Sequence, residues 1–583
     1  MKIRPTKSLA SFALSATAVA LLSACSTSPS AVSAADSNAL DRSYTMSSGG
    51  TLSADQQGIT IVDADIALKV MPEQRAVSGT TVLTLKTDRQ RSKLVVDLDD
   101  LFQLDGVTVN GEALPTGQFT HQQGQVTASL PQSIAAGDTV KLGISYHGVP
   151  HVAEKAPWDG GFVWSHTEDG KPWIATAVQG EGCDLIWPCI DHPMAEPQSA
   201  TIRVTVPKGL VAASNGMLQD VVQDGDWSRY IWHTDEPINT YAIALNIGPY
   251  KTLKSTYHSR YGNDYPMVFY YLEGNEAKAK ELYKEFPEML NFFEDMIGPY
   301  PFHAEKMGVV ETPHLGMEHQ TINAYGNGYK KGPYGYDWLM QHELAHEWFG
   351  NQITNTDWDH MWLHEGFGSY MQPLYSEYLH GKMAYDAEMY KLRQGLINEY
   401  PLVSNHSMTE DDVYQNGRGP GSDIYAKGAW VLHTLRQLIG DQAFFAATKQ
   451  LVYDRDDPKP GNFKPYFADS QRFIDAVNEE TGKNYQWFFD TYLYQAALPK
   501  LVTERDGKQL TVYWQTESSS PFPMPVNIRI DGKVVRVNAN KQPQTIMLPD
   551  SRSHVTADPD FAVLQQREYI EEFADYRNKT SQQ

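Results

Sequence analysis

The sequence predicts an α+β chain of several domains, and three observations carry that prediction. Its 583 residues are too many for one hydrophobic core. Apolar residues alternate with period two through residues 55–250 and again through 498–566. Between those stretches, over residues 251–497, the apolar spacing is helical. With 41% hydrophobic and 11% aromatic residues there is ample material for such cores. A formal charge of -23 sets the chain against phosphate backbones, so no nucleic-acid partner is expected.

At the start, Lys2, Arg4 and Lys7 precede a run of apolar and small residues, 9–24, that closes on "LLSAC". This reads as an export signal over residues 1–24. Leu22-Ser23-Ala24-Cys25 resembles the bacterial lipoprotein box, which implies a lipid on Cys25, membrane attachment through it, and a place in the bacterial cell envelope, on the outer membrane facing the periplasm. Residues 25–54 are poor in large apolar side chains and are expected to form a flexible tether. No later apolar run approaches the length of a membrane span. Cys183 and Cys189 remain, and spacing alone leaves open whether they pair or stay as buried thiols.

In the N-terminal β region the alternation is carried by Ile66, Leu68 and Val70, by Leu142, Ile144 and Tyr146, and by Ile202, Val204 and Val206. Near Asn275 the period changes. Leu282, Phe286, Met289 and Phe293 have helical spacing, with Pro287 expected as a kink, and "DSQRFIDAVNEETG" and "NYQWFFDTYLYQ" read as later helices. Past "ALPKL" the period returns to two at Leu510, Val512 and Trp514. "VNIRIDGKVVRV" predicts a hairpin, because Asp531-Gly532 supplies the positive φ values of a tight turn. Residues 567–583 are polar and expected to be a tail or frayed helix.

The chemistry concentrates in "QHELAHEWFG", residues 341–350. On a helix, positions i and i+4 lie about 40° apart around the axis and about 6 Å along it, so His342 and His346 can face one cation. Glu343 lies about 100° further round, beside the cation without entering its coordination, where a carboxylate can take a proton from water. A catalytic zinc takes three protein ligands and keeps one position open. "WLHEGFGSY" offers the third, Glu365, 18 residues beyond His346 across the turn-rich "NQITNTDWD". Glu347 and His364 adjoin these ligands and are expected at the surface or behind the ligands.

"HELAHEWFGN" followed at this spacing by "WLHEGFG" resembles the zinc aminopeptidase family that includes aminopeptidase N and the bifunctional leukotriene hydrolase. The likeness extends to "YPF", "LGMEH", "IYAKGAWVLHTL" and "QGEGCDLIWPCIDHP", in the family's order, and covers about residues 55–566. It implies an N-terminal β-sandwich-like domain, a thermolysin-like, mainly α catalytic domain and a small C-terminal β-sandwich domain. It also implies one zinc ion per chain on His342, His346 and Glu365, and Glu343 as base. The partners it implies are peptides with a free N-terminus. Gly316, Met317 and Glu318 match the signature in which the carboxylate holds the substrate's α-amino group and the backbone aligns the peptide as an added strand. Gln179 and Glu181 match the positions that complete this pocket. Tyr425 matches the tyrosine whose hydroxyl stabilises the oxyanion. Two departures stand out. Leu315 replaces the usual first glycine of the signature and His319 its final asparagine, and Leu315 with His314 is expected to border the pocket for the first side chain. An endopeptidase, an epoxide hydrolase on the same scaffold and a non-catalytic peptide-binding lipoprotein are the competing expectations.

Overall fold

The computed structural model describes residues 46–415 and 417–567. The export signal, Cys25, most of the tether and residues 568–583 lie outside them. No helix among the described residues is long and apolar enough to cross a membrane.

The N-terminal region is built on an eight-stranded sheet. The long strands Ile59–Met71 and Ala76–Thr87 form an antiparallel pair, and Ile59–Met71 runs parallel to Ala200–Pro207 on its other side, with Ala64 opposite Ala200. The alternating residues read from the sequence, from Ile66 to Val206, are all buried. Each such side chain contributes about 1.5–3 kcal/mol through removal from water, which fixes the register because a one-residue slip would turn the whole set outward. A four-stranded sheet contains Pro172–Ala177. This strand feeds the turn that carries Gln179 and Glu181. Just past that turn Cys183 and Cys189 form a disulfide, with both residues fully buried.

The central region opens with a five-stranded sheet ordered Tyr250–His258, Asp264–Leu272, Met307–Glu311, Asn323–Tyr325, Gly316–Met317. Gly316–Met317 is therefore an edge strand of that sheet. Among the described residues there are ten helices: α1 (Glu276–Tyr283), α2 (Phe286–Met296), α3 (Trp338–Ala345), α4 (Trp362–His380), α5 (Lys382–Arg393), α6 (Glu410–Tyr414), α7 (Asp423–Ile439), α8 (Asp441–Tyr453), α9 (Ser470–Thr481) and α10 (Gln486–Tyr492). Pro287 does not kink a continuous helix. The chain breaks between α1 and α2, and the proline sits in the first turn of α2, where its missing N–H leaves nothing unsatisfied.

The last region holds two three-stranded sheets, one of Lys500–Asp506, Gln509–Gln515 and Gln544–Met547, the other of Lys533–Val537, Val526–Ile530 and Val555–Ala557. The expected hairpin is there: Ile530 pairs with Lys533 around Asp531 at φ 47° and Gly532 at φ 85°. Leu564 ties this region to the helices, accepting from Tyr492 Oη at 2.7 Å and donating to Thr434 Oγ1 at 2.9 Å.

A second expectation, after the kink at Pro287, needs correction. Residues 46–54 were expected to belong to a flexible tether, yet Ser48 is buried and hydrogen-bonded on three sides. Its N–H donates to Gly180 O, its carbonyl accepts from Glu410 N–H, and its hydroxyl donates to Asp191 Oδ1 at 2.9 Å. Gly49, at φ 87°, lies so close to Trp358 that a Cβ there would be 2.1 Å from the indole. Order here comes from backbone hydrogen bonds and a glycine against an indole, which a count of apolar side chains does not register.

Candidate active site

The site forms where α3, α4 and α7 converge beside the edge strand. Asp337 caps α3, its carboxylate accepting from the N–H groups of Leu339 and Met340, each at 3.1 Å. His342 lies in the last turn of α3, and His346 just past its end keeps helical dihedrals, so the i, i+4 relation holds. α4 returns Glu365 to them, as the spacing predicted. It can do so because it crosses α7 glycine on glycine: a Cβ on Gly366 would come within 3.1 Å of Gly428 Cα. The same crossing sets Glu365 beside Tyr425, which lies in the first turn of α7. Further along α4, Gly368 packs directly on both imidazoles, and a Cβ there would lie 3.0 Å from His346 Cε1 and 3.3 Å from His342 Cε1.

His342 Nε2 and His346 Nε2 are 3.3 Å apart, and each lies 3.5 Å from Glu365 Oε2. A tetrahedral centre with ligand bonds of about 2.0–2.1 Å sets neighbouring donors about 3.3–3.4 Å apart. The three atoms therefore form one face of such a tetrahedron. Glu365 Oε2 is buried with no hydrogen-bond partner, and two facing ring nitrogens with lone pairs repel unless a cation sits between them. His346 Nδ1 lies 2.8 Å from the carbonyl of Phe349, which accepts its proton and turns the Nε2 lone pair toward the other ligands. Burial would raise the Glu365 carboxyl, but His346 and His342 beside it hold it below the usual carboxylate range. The donor set, two imidazole nitrogens and one carboxylate oxygen on one face of a tetrahedron, suits zinc.

Glu343 is buried and faces the edge strand. A Cβ on Gly316 would be 2.4 Å from its Oε1, so only glycine leaves room for the carboxylate. Burial, then the charge of Glu318, raises its carboxyl well above the usual range. Just past the end of that strand, Glu318 Oε1 accepts from Gln179 Nε2 at 2.7 Å and from Tyr241 Oη at 2.8 Å, and its carbonyl accepts from Asn351 Nδ2. Met317, between them, is buried and pairs across the strands with Ala324. Glu181 lies on the same turn as Gln179. Its Oε2 is buried without a partner over Gly160, and burial, then Asp159, pushes its carboxyl up to about 8.

Tyr425 Oη lies 3.2 Å from Tyr414 Oη, and Tyr414 Oη in turn donates to Glu365 Oε1 at 3.2 Å. Burial, then the Glu365 charge, holds the Tyr425 phenol well above its ordinary value, so it stays a proton donor at neutral pH.

Glu347 and His364 are not surface groups, since both are fully buried. Glu347 Oε1 accepts from Thr321 N–H at 3.0 Å and Asn323 Nδ2 at 2.7 Å, and His364 Nε2 accepts from Asn355 N–H at 3.1 Å. At these two positions the face that each helix turns away from the ligands is core. His314 and His319 are also buried, and burial pushes them down to about 4 and about 3, so both rings are neutral. Leu315 remains half-exposed. The sequence reading missed Tyr241 and Tyr414, whose places depend on distant segments and on no local motif.

The family models agree with this arrangement. The Peptidase M1 N-terminal domain matches residues 62–242 and the Peptidase family M1 domain residues 336–492. Leukotriene A-4 hydrolase of Xenopus laevis is 25% identical over 416 residues, 67% of this chain and 64% of that protein. Aminopeptidase B of Mus musculus is 25% identical over 407 residues, covering 64% and 59% of the two chains. The chain thus spans less than two thirds of the length of these relatives. An M1 zinc metallopeptidase of Deinococcus radiodurans superposes with a TM-score of 0.64 at 25% identity, over 76% of this chain and 96% of the other. A mutant of it bound to a Tyr-Ser-Ala substrate gives 0.65 at 24% identity, over 77% and 97%. With the two family models together spanning more than half of its residues, and the metal triad lying within the second of them, the chain belongs to the M1 peptidase family.

Proposed function

We propose that the protein is a zinc-dependent aminopeptidase that hydrolyses the first peptide bond of peptides with a free N-terminus. The observation that carries the reading is the edge strand. Its Gly316 abuts Glu343, and just past its end Glu318 is held through one carboxylate oxygen by Gln179 and Tyr241. A peptide added along that edge with its α-ammonium on Glu318 brings its first carbonyl, about one extended residue away, toward Glu343. The amine anchor thereby selects the bond.

His342, His346 and Glu365 would hold the zinc ion, which when bound supplies Lewis-acid polarisation of the carbonyl and acidifies water. Glu343 accepts the proton of the attacking water as its oxygen bonds to the carbonyl carbon. The same carboxyl returns that proton to the leaving nitrogen as the C–N bond breaks. Tyr425 donates its hydroxyl hydrogen bond to the oxyanion. The test is a series of aminoacyl fluorogenic amides and their N-acetylated forms, with and without a chelator. Turnover of the free amines alone, abolished by the chelator, supports the reading, and turnover of the acetylated forms contradicts it.

The proposal extends to location. Residues 1–25 support export and a lipid on Cys25, which would place the enzyme on the periplasmic side of an outer membrane. Cys25→Ser followed by fractionation and mass measurement of the N-terminal fragment tests this.

A further inference from the structure

One hydroxyl stands between the metal triad and the oxyanion donor. Tyr414 Oη lies 3.2 Å from Glu365 Oε1 and 3.2 Å from Tyr425 Oη. Tyr414 is the last residue of α6, and α6 is braced against the approach to α7. Thr409 caps α6 by accepting from Asp412 N–H at 3.2 Å, and Gly421 N–H donates to Val413 O at 2.8 Å. Gly419 packs so closely beneath that a Cβ on it would be 2.8 Å from Val413 Cα. At the first position of α7, Asp423 accepts from the N–H groups of Ile397 and Asn398 at 2.8 and 2.6 Å. Tyr414 and Tyr425 therefore sit on one tied turn, and both side chains are half-buried.

Counting protons gives the direction of each hydrogen bond. A phenol has one proton to give, and an ionised carboxylate can only accept. The Tyr414 proton is thus committed to Glu365 Oε1, so in the contact between the two phenols Tyr425 is the donor. Before substrate enters, the Tyr425 hydroxyl is turned toward Tyr414 and cannot swing freely. The other oxygen of the same carboxylate, Oε2, lies 3.5 Å from the Nε2 atoms of His342 and His346. A hydrogen bond on Oε1 occupies that oxygen and leaves Oε2 as the single donor atom. A carboxylate that binds through one oxygen keeps the fourth corner of a tetrahedral site open.

We infer that Tyr414 is a positioning residue for the proposed hydrolysis: it holds Glu365 to one donor oxygen, and it parks the hydroxyl of Tyr425 until the carbonyl arrives. Tyr425 then passes its hydrogen bond from Tyr414 to the oxyanion, while Tyr414 keeps its bond to Glu365. One hydrogen bond replaces another and no proton is transferred. The hold on Tyr425 rests on the aminopeptidase reading; the hold on Glu365 rests on the metal triad alone.

Tyr414→Phe removes the hydroxyl and keeps the ring. Its zinc affinity, from competition with a chromophoric chelator, should fall about 10-fold or more. With cobalt in place of zinc, its visible absorption should weaken as Oε1 joins Oε2 and the coordination number rises. On an aminoacyl fluorogenic amide its kcat should fall about 10-fold with KM within about 2-fold, because the amine is bound elsewhere, at Glu318. Tyr425→Phe should lose kcat yet keep wild-type zinc affinity. The double variant should lose less kcat than the product of the two single losses, since Tyr414 acts in part through Tyr425. Wild-type zinc affinity in Tyr414→Phe, or an equal loss of affinity in Tyr425→Phe, overturns the hold on Glu365. Unchanged kcat in Tyr414→Phe, or a double variant that shows the full product, overturns the hold on Tyr425. A drop of more than about 8 °C in the melting temperature of metal-free Tyr414→Phe marks a structural role and overturns both. A wild-type protein that cleaves no free-amine peptide overturns the aminopeptidase reading, and zinc affinity still decides the hold on Glu365. Should Tyr414→Phe fail to fold, Thr409→Ala uncaps α6 and loosens Tyr414. A smaller loss of zinc affinity is expected there, and unchanged affinity overturns the inference.

Discussion

Gly368→Ala adds one methyl group to α4 directly against both metal-binding imidazoles. That carbon would lie 3.0 Å from His346 Cε1, 3.2 Å from His346 Nε2 and 3.3 Å from His342 Cε1, all closer than ordinary contact. Relief requires a shift of a few tenths of an ångström, while ligand positions in a metal site tolerate only about ±0.2 Å. His346 has little room to move, being buried and tied through Nδ1 to the Phe349 carbonyl. Zinc affinity should therefore fall about 10- to 100-fold, the range seen when support for ligand orientation is lost, or about 1.4–2.7 kcal/mol. The metal-free protein should behave differently. Alanine gains about 1 kcal/mol over glycine within a helix, against about 1–3 kcal/mol for overpacking. Its melting temperature should consequently move by only a few degrees. The assay is zinc titration against a chromophoric chelator, with calorimetry of the metal-free protein alongside. Wild-type zinc affinity in the variant would refute the packing argument.

Glu343→Gln should retain stoichiometric zinc and lose turnover by about 10²-fold or more, since the group acts as a base and does not bind the metal; metal content and kcat measure the two separately. Glu365→Ala should lose zinc itself, detected by the same titration. Replacing Cys183 and Cys189 together with serine should lower the unfolding free energy by about 2 kcal/mol, the loop-closure entropy for a sequence separation of 6, read from urea unfolding. Glu318→Ala should reduce kcat/KM on a dipeptide amide by about 10²-fold and leave its acetylated form little changed, the loss of a charge-assisted contact with the α-ammonium.

What could be read in the sequence was what is local. Period-two alternation placed the strands around Ile66, Leu142 and Ile202, and Asp531-Gly532 placed the hairpin turn, because both depend only on neighbouring residues. Helix geometry likewise brought His342 and His346 together, and the turn-rich stretch after them gave the return of Glu365. Gln179, Glu181, Glu318 and Tyr425 were found only through resemblance, since a lone carboxylate or tyrosine carries no periodic signal. Tyr241 and Tyr414 were missed because each reaches the site from a segment far away in the chain. Glu347 and His364 were expected at the surface or behind the ligands, and the surface alternative failed for a related reason. Periodicity gives the angle at which a residue leaves a helix, and whether solvent or core waits there is set by tertiary packing.

The most direct test of the proposed activity follows a defined unmodified peptide of about ten residues and its N-acetylated twin by mass spectrometry, with zinc-loaded enzyme. Release of single residues in order from the free N-terminus, with the acetylated twin intact, is the expected result, because Glu318 then fixes the amine and thereby the bond. Internal cleavage of both peptides at the same bond would contradict it.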